Sequence, residues 1–180
     1  MNDTALYRTG AIVFGLSGVV NLIADFLPGR EVWNLIGVAA GIGGLAAIWL
    51  WQRQAAGIAG LVGYGFAMAG LTGIAGFLFA DAAILPHLPP DTVAALMNGP
   101  TGPSIFAAVN TYVLGTLVFV GASLRAGLYP RPALLLWGIG VLPTPLALAL
   151  PPLTITLGEI VASAGVLWVA AALFRSATRR

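Results

Sequence analysis

No cysteine and no lysine occur in the 180 residues of this chain. The first absence excludes disulfides, thiolate metal sites and cysteine nucleophiles. The second excludes a Schiff-base lysine, so all eight basic residues are arginine. A single histidine, His87, excludes a two-histidine haem or di-iron centre. Charge of either sign is scarce: 8% of the residues are charged, where soluble domains carry about 25%. With 59% hydrophobic residues, the chain cannot clothe a globular surface in polar groups, and its solvent is expected to be mostly lipid. The net charge of +2 is too small to argue for nucleic acid. No Ser-His-Asp arrangement, no phosphate-cradling glycine loop and no HExxH motif is present.

What the chain does have is long apolar runs. Six segments, 8–27, 32–52, 55–80, 105–125, 131–150 and 153–174, are long enough to span a bilayer as helix, which takes roughly 20 residues. The expected fold is an all-α, six-helix transmembrane bundle forming one integral membrane domain over 1–180. The PGRE stretch and the Pro151-Pro152 pair mark turns. The first segment does not read as a signal peptide: its start is weakly basic, it contains Asn21 and Asp25, and no small-x-small site follows it. With six spans, Arg8, Arg53, Arg125, Arg131, Arg175, Arg179 and Arg180 share one side and Arg30 stands alone on the other. Seven against one predicts that both termini are cytoplasmic.

Gly57, Gly60, Gly63, Gly70, Gly73 and Gly76 recur on one broad face of the third segment, with Gly37 and Gly41 in the second. Small residues let helix backbones approach closely in lipid. They predict a central third helix, and they offer contact faces for a homo-oligomer or a larger complex. The longest connection, from about Asp81 to Ser104, is expected to hold a short helix capped by Asp91 and ending before Gly99. Val93, Leu96 and Met97 form its apolar face, which fits a surface helix or a lid. Asp81, His87 and Asp91 match no known metal-ligand spacing. No metal or cofactor is expected.

Glu159 is the most costly residue in the chain. A carboxylate inside a span costs several kcal/mol unless it is partnered, hydrated or protonated. It lies about six residues into the last segment, roughly 9–10 Å below the outer boundary. Asn21 falls at a similar depth, and Ser17, Asn21 and Asp25 share one helix face. Thr156, Glu159 and Ser163 share another, while Asn34, Asn110 and Thr144 enter from the same side. Polar groups in lipid lack partners, so they are expected to face one another. The expected ligand-binding residues are Asn21, Asp25, Asn34, Asn110 and Glu159, lining an outward-facing pocket. The plainer reading is that Glu159 hydrogen-bonds Asn21 or Asn110 and fixes helix register.

Two short motifs in the C-terminal third carry a resemblance. Arg125-Ala-Gly127-Leu-Tyr-Pro130-Arg131 joins two spans, and Leu157-Gly158-Glu159 opens the last. Over about 70 residues this resembles the DUF4386-like and related bacterial polytopic membrane proteins. The resemblance implies a bacterial inner-membrane protein in which Glu159 belongs to a shared pattern. It implies no activity. Small membrane-bound terpene cyclases offer a more distant likeness, as helical bundles with carboxylates in an apolar pocket. The leading expectation is the binding or handling of a small, largely apolar, lipid- or isoprenoid-like molecule. The second is an intramembrane enzyme with Glu159 as catalytic general acid, in which Asn21 and Asn110 orient the substrate. A transporter is third, since the inner half offers little polar path, and a structural subunit of a membrane complex is fourth.

Overall fold

The computed structural model describes residues 3–24, 26–147 and 149–179. Regular structure among them is helical: α1 (Asp3–Ala24), α2 (Arg30–Ala83), α3 (Pro90–Leu96), α4 (Gly102–Ala126), α5 (Arg131–Gly140) and α6 (Pro152–Thr178). Four helical stretches, Thr4–Ala24, Arg30–His87, Pro90–Ala126 and Pro152–Thr178, are long and apolar enough to cross a membrane. With 22, 25 and 27 residues, α1, α4 and α6 run for roughly 33–40 Å, enough for a hydrocarbon core of about 30 Å.

Among the described residues, five helices of ten residues or more stand where six spans are expected. The difference has two causes. The second and third expected spans fall in one 54-residue helical run, α2, with no loop between them. Gly57 alone breaks it, at φ 60° and ψ −155°, a combination essentially confined to glycine. The chain turns back on itself there. Trp49 and Tyr64 lie 15 residues apart, which is roughly 22 Å along a straight helix, yet their rings stack at 5.7 Å. The two expected spans part at residues 53 and 54, in the polar run Gln52, Arg53 and Gln54, and the structure places the reversal three residues later, at Gly57.

The second cause is proline. The expected span 131–150 is helical only over the ten residues of α5, about 15 Å and half a crossing. Pro143 and Pro145 lack the N–H that an α-helix needs. The chain passes instead through a turn into a short 3-10 helix at Thr144–Leu146.

Neighbouring helices pack antiparallel, and glycines set the spacing. On α1 and the first arm of α2, Gly10 meets Ala47 while Gly37 meets Asn21. On the second arm and α4, Gly63 meets the Phe119 backbone while Gly70 meets that of Tyr112. On α5 and α6, Gly140 meets Ala162 while Gly165 meets Trp137. The glycine-dense second arm nevertheless sits at the edge of the bundle, not at its centre. Gly60, Gly63 and Gly70 are buried, the last two against α4, but Gly57, Gly73 and Gly76 are exposed, as are Ile58, Leu61, Val62, Phe66 and Phe79.

The start of α1 and the end of α6 lie at one end of the bundle, where the Arg8 guanidinium sits 5.0 Å over the Phe174 ring and Tyr7 meets Trp51 edge-on at 4.9 Å. This is the terminal end, and the opposite one is the distal end. Between them Phe119, Ile48, Leu45, Leu134, Val169 and Leu173 are almost wholly shut off from solvent. At the distal end α2 gives way to a 3-10 turn, Leu85–His87, then to α3 and a wide turn, Met97–Thr101, kinked at Gly99. Asp91 does not cap α3. Pro89 holds the N-cap position without a side-chain hydrogen bond, and Asp91 sits in the first turn.

Candidate functional site: a distal cavity

A cavity of about 250 Å³ opens in the distal half. Its walls are built by α1, both arms of α2, α4, α5 with the turn beyond it, and α6. Val38, Leu71, Ile74, Leu78 and Val166 make the sides. Phe14, Tyr112 and Trp137 contribute aromatic rings, with Phe14 and Trp137 edge-on at 5.4 Å. Directly beneath, Phe119 meets Trp137 at 6.0 Å and begins the apolar plug that closes the cavity towards the terminal end.

The polar part of the wall is Ser17, Asn21, Asn34, Thr144, Glu159 and Ser163. Three of the expected site residues, Asn21, Asn34 and Glu159, therefore line one cavity. Asn21 arrives there because glycine at 37 lets its amide lie against the α2 backbone. Likewise Gly41 leaves room for the Ser17 hydroxyl. Gly158 lets α6 close on the Gly140 carbonyl and Pro143, which sets Glu159 beside the turn that carries Thr144.

Asn110 does not join them. Its Nδ2 donates to the Phe106 carbonyl of its own helix at 2.8 Å, and it does not line the cavity. A polar side chain in a helix satisfies itself this way when no partner faces it. Thr156 also lies away from the wall. Asp25 lies outside the described residues. No residue of α3 lines the cavity, so the short distal helix does not close over it. His87 is exposed, and no three acidic or histidine side chains come together among the described residues.

The chain also holds a polar cluster that its apolar pattern conceals. Gln52 is completely buried near the terminal end, where its Nε2 donates to the Ser123 Oγ at 2.7 Å. Ser123 in turn donates to the Phe119 carbonyl at 2.8 Å. The Gln52 Oε1 has no hydrogen-bond partner among the described residues. Swapping the two ends of the Gln52 amide only moves the unpartnered atom. In the sequence Gln52 is the last residue of the expected 32–52 span and adjoins Arg53. Breaking one partner of a buried pair costs more than removing the demanding group itself. Ser123→Ala is therefore expected to lower stability by about 1–3 kcal/mol, and Gln52→Met by less. Unfolding midpoints of the two variants in detergent check the order; a larger loss for Gln52→Met would contradict it.

Near the same end Tyr129, in the turn between α4 and α5, is 5% exposed and directs its hydroxyl at the Ile48 carbonyl, 3.5 Å away. Burial pushes its phenol pKa up, and the neighbouring Tyr7 adds to the shift. Tyr129 thus stays a hydrogen-bond donor throughout the physiological range.

The helices thus enclose a mostly apolar cavity with a few convergent polar groups, the general make-up of a small-molecule pocket. No family model, curated protein or solved structure matches this chain.

Proposed function

We propose that this chain is a multi-pass membrane protein that binds or handles a small, largely apolar molecule in its distal cavity. The observation that carries this reading is the wall itself: aliphatic and aromatic side chains on most sides, and six polar side chains gathered on the rest. The size agrees with a small occupant. At about 250 Å³ the cavity exceeds the roughly 150 Å³ that accommodates benzene, and it falls just below the range of about 300–1,000 Å³ for drug-sized ligands. A short isoprenoid or the end of a lipid chain suits it.

The membrane arrangement that goes with this reading has six crossings. The two arms of α2 count separately, and α5 with its 3-10 extension serves as the fifth. Of the described arginines, Arg8, Arg53, Arg125, Arg131, Arg175 and Arg179 belong to the terminal end, and Arg30 to the distal end. By the positive-inside rule the terminal end is cytoplasmic and the cavity faces outward. The Arg125–Arg131 turn and the Leu157-Gly158-Glu159 motif support a kinship with DUF4386-like proteins of the bacterial inner membrane.

Native mass spectrometry tests the binding. Wild-type protein in nanodiscs is expected to take up added geraniol. Ile74→Trp, which puts an indole into the cavity, is expected to lose most of that uptake while keeping its unfolding midpoint. Wild-type protein that carries no small molecule and takes up no geraniol would refute the reading.

A further inference from the structure

A second hollow, of about 280 Å³, runs between α1 and the first arm of α2 in the terminal half. Gly10 meets Ala47 at its floor, Val13 stands opposite Gly43 at its deep end, and Leu6 and Leu50 line it nearer the terminal end. Thr9 and Gly43 on its walls are exposed, so it opens on the outer surface of the bundle. Its lining spans Ala5 to Val13 on one helix and Gly43 to Leu50 on the other, roughly 11–12 Å of length. Spread over that length, the volume leaves a cross-section of roughly 25 Å². That is a slot for a single hydrocarbon chain. An α-helix, about 10–12 Å across with its side chains, lies over such a slot without entering it.

Charge and aromatic rings mark the terminal end of the slot. Ala46, Leu50 and Arg53 follow at steps of four and three, so Arg53 stands one turn beyond the slot on the same side of the helix. Gln54 stands beside it, and both are exposed. Tyr7 and Trp51 meet edge-on at this level, as aromatic residues do at a headgroup boundary. The N-terminal end of α1 lies here too and adds partial positive charge. Among the described residues, six arginines belong to this end and Asp3 is its one acid, while Glu31, Asp81, Asp91 and Glu159 stand towards the other. One carboxylate cannot balance six guanidinium groups, whatever pairs form among them.

We propose that this slot holds one acyl chain of an anionic phospholipid, with the lipid phosphate against Arg53. The proposal uses the membrane placement of the bundle and stands apart from the occupant of the distal cavity. A second copy of the chain suits the slot less well. Copies in one membrane share an orientation, so their arginine-rich ends would be set side by side and repel. A zwitterionic phospholipid fills the slot but leaves the positive surplus unanswered.

The test is native mass spectrometry of delipidated protein in detergent, with phosphatidylglycerol and phosphatidylcholine of identical chains added in equal amounts. One phosphatidylglycerol is expected to bind at least about tenfold more tightly than phosphatidylcholine, and raised salt should narrow the gap. Gly43→Leu fills the slot. A Cβ there meets only Val13, at 3.5 Å, and leucine is a better helix former than glycine. The variant is expected to keep its unfolding midpoint and to lose the bound lipid. Ala46→Leu blocks the slot from the next turn and decides the matter if Gly43→Leu does not fold. Arg53→Gln should keep a lipid in the slot but lower the preference for phosphatidylglycerol roughly fivefold. Arg131→Gln, on α5 at the same end, should leave that preference nearly unchanged. Equal retention of the two lipids by wild-type protein would overturn the proposal, as would undiminished phosphatidylglycerol binding in the slot-filling variants. Equal losses in Arg53→Gln and Arg131→Gln, or a dimer that Gly43→Leu dissolves, would also overturn it. Geraniol uptake by the distal cavity is read separately, so the two readings stand or fall independently.

Discussion

Gly70→Ala is expected to disrupt the bundle, and Gly65→Ala five residues away is expected to leave it intact. At position 70 a Cβ would fall on the backbone nitrogen of Tyr112. The obstacle is main chain, which no rotamer change can move aside. The second arm of α2 and α4 would have to separate, and that contact continues through Gly63 against Phe119 and Gly115 against Ala67. Overpacking a well-filled interior costs typically about 1–3 kcal/mol and occasionally more. A clash with backbone belongs at or above the top of that range. Separation would also pull Tyr112 and Leu71 from the cavity wall. Gly65 has open space where its Cβ would lie, and alanine is a better helix former than glycine by about 0.8–1 kcal/mol. Unfolding midpoints in detergent, together with geraniol uptake, check the pair. The account fails if the two substitutions behave alike.

The second large effect is expected at Gly57. With φ 60° and ψ −155° it holds a conformation that costs a side-chain-bearing residue about 1–3 kcal/mol. Nothing lies within 4 Å of a Cβ there, so crowding is not the issue. The penalty is entirely in the backbone. Gly57→Ala should therefore destabilise by about 1–3 kcal/mol, and Gly57→Val by more, because branching at Cβ narrows its backbone choices further. The loss should appear as separation of Trp49 from Tyr64, readable as a change in tryptophan fluorescence before global unfolding. If alanine at 57 is as stable as glycine, the reversal does not depend on that geometry.

Much of this architecture is legible in the residues, and the failures have physical causes. The spans read at 105–125 and 153–174 lie within α4 and α6, because long uniform apolar runs bounded by Gly, Pro and Arg leave little freedom. The span at 8–27 is displaced towards the N-terminal side in α1, which begins five residues earlier, at Asp3, and ends at Ala24. Hydropathy measures apolar length and not backbone donors. It therefore reads 131–150 as one helix, although Pro143 and Pro145 stop it at half height. The common depth of Asn21, Asn34, Thr144 and Glu159 follows from helix rise and direction, and these four share the cavity wall. Depth does not fix azimuth, and that is why Asn110, at a comparable depth, turns to its own backbone instead. Phe14, Tyr112 and Trp137 look like any other membrane aromatics until three helices bring them together. Gln52 is concealed for a different reason: it adjoins Arg53 and reads as the start of a polar turn, yet it is folded completely inside.

The reversal at Gly57 also bears on how the chain is made. Most polytopic proteins join their crossings by loops that a ribosome can finish before the next segment arrives. Here a single residue separates two arms of roughly 40 Å each, so neither can settle far ahead of the other. On the six-crossing arrangement proposed above, the pair is expected to enter the bilayer together as a helical hairpin. It follows that a tag or a protease site placed at 57 would block biogenesis, whereas the long segment between Ile84 and Thr101 has room for one.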